Sequence, residues 1–106
     1  MSEPKKPTED QIATVIDILA DRDWTTAREL SAITPGFNDR LLRQIANASQ
    51  GQIISGQKGY TLTRKASLDE VERAANWLRH QADEMTRRAG EISTTYTRAQ
   101  NAQNQP

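Results

Sequence analysis

The chain has 106 residues, 35% of them hydrophobic and 5% aromatic, and contains no cysteine. That length predicts one folded unit with appendages. The missing cysteines exclude disulfides, thiolate nucleophiles and thiolate metal sites, and no run of about 18 uncharged apolar residues is present to cross a bilayer. Lys and Arg number 14, as do Asp and Glu, but the charge is uneven. Residues 24–66 hold six cations against two acids, a net of +4 between flanks of −3 (residues 1–23) and −1 (residues 67–106). A basic middle points to a local anion-binding surface. The first eight residues lack the apolar stretch of a signal peptide, so a soluble cytoplasmic protein is expected.

Residues 1–7, with two prolines, read as a flexible arm. Thr8-x-x-Gln11 is the sequence of a capping box, with Glu9 and Asp10 placed for the positive end of a helix. Ile12, Val15, Ile16 and Leu19 follow at the 3–4 spacing of one helical face, predicting a first helix over about 9–22. Trp24 and Thr25 form a short extended link. Thr26-x-x-Glu29 is a second capping box, and Ala27, Leu30 and Ile33 are the apolar face of a short helix over about 27–33. Thr34-Pro35-Gly36 breaks it.

Asn38 then caps a third helix, with Asp39 in its first turn. Leu41, Leu42, Ile45 and Ala48 are its predicted buried face, and Gly51 its stop. The period next changes to two. Gln52–Ser55 and Tyr60–Thr63 are short β-prone runs around a four-residue tip, Gly56-Gln57-Lys58-Gly59, which predicts a hairpin. Tyr60 and Leu62 face one side, Thr61 and Thr63 the other. Of Ile53 and Ile54, one is expected to be exposed.

Ser67-x-x-Glu70 is a third capping box and opens the longest element, predicted over residues 67–99. Leu68, Ala75, Ala82, Ala89 and Tyr96 alternate in steps of three and four with Val71, Leu78, Met85, Ile92 and Ala99. This is a heptad seam sustained over about four heptads, the signature of a coiled coil. Small residues in one seam column let two helices approach closely. The long helix is therefore expected to pair with its own copy through residues 68–99, with Val71, Ala75, Leu78, Ala82, Met85, Ala89, Ile92 and Tyr96 at the contact. Parallel and antiparallel pairing both remain open. Trp77 lies off the seam and is expected to pack on the domain body or on the partner. Residues 100–106, rich in Asn and Gln, are expected to be a disordered tail.

Three short helices followed by a hairpin resemble the winged helix-turn-helix superfamily over residues 8–66. The features that carry the likeness are the Thr26–Ile33 helix, the Thr34-Pro35-Gly36 turn, the Arg-rich third helix and the hairpin Ile53-Ile54-Ser55-Gly56-Gln57-Lys58-Gly59-Tyr60-Thr61-Leu62. The Gly-Tyr-x-Leu ending is also similar to small regulators and replication-associated proteins of phages and mobile elements. The resemblance implies a mostly α fold with a β-hairpin wing, followed here by a long dimerisation helix. It implies sequence-specific binding of double-stranded DNA as a homodimer, in a transcriptional regulator of a phage, plasmid or bacterial mobile element.

The residues support the same expectation independently. The third-helix face opposite Leu41 and Ile45 carries Arg40, Arg43, Gln44, Asn47 and Gln50, and the cap Asn38 precedes it. Arg reads guanine bidentately, and Asn or Gln reads adenine in the same way. Gln57 and Lys58 at the hairpin tip, with Arg28, Arg64 and Lys65, are the expected phosphate contacts. An enzyme is not expected, and neither is a cofactor or metal site. His80 lies outside the seam, acids of the long helix have basic i,i+4 partners such as Asp83–Arg87 and Glu84–Arg88, and no Gly-rich phosphate loop follows a strand. Two alternatives stay open: a protein-interaction or assembly module, and a replication or partition accessory protein.

Overall fold

Three reciprocal capping boxes set where helices begin. In the computed structural model, which describes residues 6–104, Thr8 and Gln11 cap α1 (Glu9–Ala20), and Thr26 and Glu29 cap α2 (Ala27–Ile33). Ser67 and Glu70 cap α4 (Leu68–Gln103): the Ser67 N–H donates to Glu70 Oε1 at 2.9 Å, and the Glu70 N–H to Ser67 Oγ at 3.2 Å. Each box satisfies two backbone donors that a helix start leaves open. Between them lie α3 (Asp39–Ala48), strands β1 (Ile53–Gly56) and β2 (Gly59–Leu62), and a 3₁₀ turn (Thr63–Lys65). The chain divides into two units, Met1–Ala74 and Ala75–Pro106. Residues 1–5 of the expected arm lie outside the described residues, as do residues 105–106 of the expected tail.

The first unit closes on one apolar cluster. Val15 and Leu19 of α1, Leu30 of α2, Leu42 and Ile45 of α3, and Ile53, Tyr60 and Leu62 of the hairpin pack together. This matches the 3–4 and period-2 spacings of those residues. Two expected core positions fall elsewhere. Ile33 is 41% exposed, because α2 ends there and Thr34 turns inward instead, its hydroxyl donating to the Leu30 carbonyl at 2.6 Å. Ala48 is exposed and Ser49 is buried in its place. The Ser49 hydroxyl donates to the Ala46 carbonyl at 2.8 Å and accepts from the Ile53 N–H at 3.1 Å. The buried hydroxyl thus has both partners it needs, and it ties the end of α3 to the start of β1.

Boundaries shift for physical reasons. α1 ends at Ala20 rather than about residue 22. The Lys65 ammonium gathers the carbonyls behind it, donating to Leu19 O at 3.4 Å, Ala20 O at 2.9 Å and Arg22 O at 2.5 Å. A cation at the negative end of a helix is well placed to satisfy its open acceptors. α3 stops at Ser49 rather than Gly51, since Gln50 (φ 57) and Gly51 (φ 82) both take left-handed backbone. α4 continues to Gln103, so residues 100–103 of the expected tail are helical. Gln and Ala are good helix formers, and three of those four residues are one or the other.

The hairpin pairs Ile53 with Leu62, Ile54 with Thr61, Ser55 with Tyr60 and Gly56 with Gly59, antiparallel. Its loop is therefore only Gln57 and Lys58, shorter than the expected four-residue tip. Thr25 extends the pairing as an isolated bridge, its N–H and carbonyl each bonded to Tyr60 at 2.8 Å. This close approach needs a glycine next door. Gly59 has φ +113, and a Cβ there would lie 2.3 Å from the Thr25 carbonyl oxygen. Both Ile53 and Ile54 are buried, at 7% and 9% exposure, contrary to the expectation that one would face solvent. Strand alternation puts Ile54, Gly56 and Thr61 on the second face. The Trp24 ring lies over Gly56 there, 3.3 Å from where a Cβ would stand.

The second unit is the remainder of α4. None of its described residues is buried, and Trp77, Leu78, Met85, Ile92 and Tyr96 are 59–68% exposed. The polar side carries an ion-pair chain in which Arg87 bridges Glu84 at 2.7 Å and Glu91. Among the described residues no helix is long and apolar enough to cross a membrane.

Candidate nucleic-acid interface

α3 is amphipathic by construction. Leu42 and Ile45 face the core, while Arg40, Arg43 and Asn47, three and four residues apart, are exposed. That spacing stacks the three on one helical face. Asn38 starts the helix, its Oδ1 accepting from the Leu41 N–H at 2.8 Å, which leaves the amide nitrogen as a donor. Gln44 is only half-exposed, since it sits between the free face and the core. Gln50 lies beyond the C-cap in left-handed backbone and is therefore off the α3 face on which sequence placed it.

The turn between α2 and α3 forms an open depression beside that face, lined by Ser31, Gly36, Phe37, Asn38, Asp39, Arg40 and Arg43. Ser31 is a residue of this turn that sequence reasoning missed. Its hydroxyl donates to the Phe37 carbonyl at 2.6 Å and pins the turn. Its i,i+3 spacing from Arg28 was the available signal, as both project from the same side of α2. Arg28 itself is exposed.

Tyr60 connects this face to the hairpin electrostatically. Burial raises its phenol pKa; the Arg43 guanidinium opposes the shift and the Asp39 carboxylate adds to it. The phenol is therefore neutral at ordinary pH.

Gln57 and Lys58 form the exposed tip of the hairpin. Lys58 also acts on Glu70. The Glu70 carboxyl is held below its ordinary value chiefly by the Ser67 N–H, then by the Trp24 indole N–H, with the Lys58 charge contributing less. Arg64 is exposed in the 3₁₀ turn. Lys65, expected as a phosphate contact, donates to the Leu19 and Ala20 carbonyls at the end of α1 and to the Arg22 carbonyl just beyond it. The structure therefore brings together Arg40, Arg43 and Asn47 on one face of α3, with Asn38 capping the start of that helix. Lys58 with Gln57, Arg28 and Arg64 stand on separate elements of the same unit. Of the seam residues, Leu78, Ala82, Met85, Ala89, Ile92 and Tyr96 are exposed along α4, with Val71 and Ala75 half-exposed.

Compared with protein families, with curated proteins and with solved structures, the chain finds no match. The functional reading thus rests on this geometry and its chemistry.

Proposed function

We propose that the chain is a winged helix-turn-helix protein that binds double-stranded DNA sequence-specifically as a homodimer, in the manner of a small transcriptional regulator. The observation that carries this reading is the exposed Arg40–Arg43–Asn47 face of α3, backed by Leu42 and Ile45 in the core. A helix about 10–12 Å across fits the major groove, about 12 Å wide. Two guanidiniums and an amide, one helical turn apart, supply donors suited to guanine and adenine edges. Capping by Asn38 and the Ser31–Phe37 hydrogen bond fix the start of the helix, the end that leads into the groove in helix-turn-helix proteins.

The hairpin is the wing. Lys58 at its tip supplies a cation for the sugar–phosphate edge, and Arg28 and Arg64 are phosphate positioners. A single unit of this size makes few contacts, and joining two through α4 raises the effective concentration of the second. The exposed apolar stripe of α4 supports self-pairing, because isolated apolar residues are common on surfaces but a seam at heptad spacing is not.

Selection of bound duplexes from a random pool tests the reading. An enriched motif, repeated in inverted orientation, is the expected outcome for a two-fold dimer. Pools that stay random through successive rounds would refute sequence-specific binding.

A further inference from the structure

Building on the reading of α4 as a self-pairing helix, we infer that the partner is a second copy running antiparallel, in the one register that sets each seam residue i against the partner's seam residue 167 − i. The argument begins with the seam columns. One holds Ala75, Ala82 and Ala89; the other holds Leu78, Met85 and Ile92, exposed by 60%, 68% and 63%. In a parallel pair each column meets itself. Three Ala–Ala layers would then alternate with three layers of paired large side chains, leaving thin layers hollow or thick ones strained. Antiparallel pairing sets one column against the other. Ala75 then faces the partner's Ile92, Ala82 faces the partner's Met85, and Ala89 faces the partner's Leu78. Every central layer becomes one small and one large residue, the arrangement that fills a core evenly. Tyr96 likewise meets the smaller Val71 at the next layer.

Charge selects the register. Flanking the seam, α4 carries few charges, and the ion-paired Glu84, Arg87 and Glu91 lie on other faces. In the stated register Arg79 flanks the partner's Thr86, Arg88 flanks the partner's Gln81, and Glu72 flanks the partner's Ser93, with no like charges opposed. Sliding one heptad in one direction brings Arg79 against the partner's Arg79. Sliding one heptad in the other brings Arg88 against the partner's Arg88. Each slip also shortens the overlap. Like charges placed opposite each other in a coiled-coil flank disfavour that pairing, so both neighbouring registers are penalised and the full-overlap one is not. The two starts of α4 then stand at opposite ends of the pair, about 46 Å apart at 1.5 Å per residue.

Because the chain has no cysteine, single cysteines report the register cleanly. Ala75→Cys and Ile92→Cys variants of the full chain, one carrying a size tag, are oxidised alone and after mixing. Sedimentation under reducing conditions is measured first. A disulfide needs Cα atoms within about 7 Å. Antiparallel pairing predicts a disulfide-linked dimer mainly in the mixture, with each variant alone remaining largely unlinked. Rapid linkage of either variant to itself overturns the proposal in favour of parallel pairing. Linkage of Ala75→Cys to Met85→Cys, in place of Ile92→Cys, overturns the register. A dimer that links in no combination places the interface elsewhere. A chain monomeric by sedimentation removes self-pairing itself, which is a separate failure, and leaves DNA contact by α3 to be judged on its own test.

Discussion

The indole Nε1 of Trp24 donates to Oε2 of Glu70 at 2.7 Å, joining residues 46 apart in sequence. The same carboxylate holds the Ser67 N–H through its other oxygen. One side chain thus caps α4 and fastens its first turn to the ring that covers Gly56 of the hairpin.

That geometry predicts an acid-sensitive anchor. The Glu70 carboxyl is lowered from its ordinary 4.5 by the Ser67 N–H, the Trp24 indole and Lys58. A carboxyl whose folded value lies below its unfolded one adds stability above the unfolded value. It loses that contribution as pH falls through the folded value. The melting temperature of the intact chain should therefore fall more between about pH 6 and about pH 3 than that of Glu70→Gln. Parallel melting curves for the two would show that the carboxylate does no anchoring.

Gly59→Ala tests the tight approach of the hairpin to Thr25. The added Cβ meets the Thr25 carbonyl oxygen at 2.3 Å, and φ +113 is itself strained for alanine. A loss of at least about 2 kcal/mol in urea denaturation is expected. Gly36→Ala, where φ is +91 but space is open, should cost only about 1–2 kcal/mol from backbone strain. Equal losses at the two positions would remove the steric account.

These contacts also show what was legible from sequence. Capping boxes and apolar spacing act within four residues, so Thr8–Gln11, Thr26–Glu29 and Ser67–Glu70 announced their helices. The heptads of α4 and the Asn38 cap of α3 were equally visible. The burial of both Ile53 and Ile54 was not legible, because cover for the second face of the hairpin comes from the side where Trp24 lies, brought there by chain distant in sequence. The carbonyls that the Lys65 ammonium meets, at and just beyond the end of α1, were not legible because they lie 43–46 residues away. Gln50 was assigned to a helical face, but the left-handed turn that removes it carries no strong local signal in a glutamine. The exposed face of α3 was legible because its spacing and its chemistry lie in one ten-residue segment.

Lys65 and Arg43 should respond oppositely to substitution. Lys65→Met is expected to lower the melting temperature, by opening the α1 carbonyls, with little change in DNA affinity. Arg43→Ala is expected to leave stability nearly intact and to cost about 1–3 kcal/mol at a selected site if it reads a guanine. An equal loss on random duplex would make Arg43 a phosphate contact.

Leu78→Asp places a carboxylate in the centre of the α4 seam. Light scattering should report monomers, and affinity for a paired site should fall because the second unit is no longer tethered. A variant that stays dimeric would place self-association outside the seam.

The contact between α3 and a duplex is tested most directly by fluorescence anisotropy across a salt series, with the intact chain beside the Arg40→Ala/Arg43→Ala double variant. The intact chain should bind at low salt and weaken steeply as salt rises. In the double variant affinity should drop, and the slope of log K against log salt should become shallower by roughly 0.9 for each arginine that neutralises a phosphate. No binding to any duplex at low salt, or identical curves for the two proteins, would contradict it.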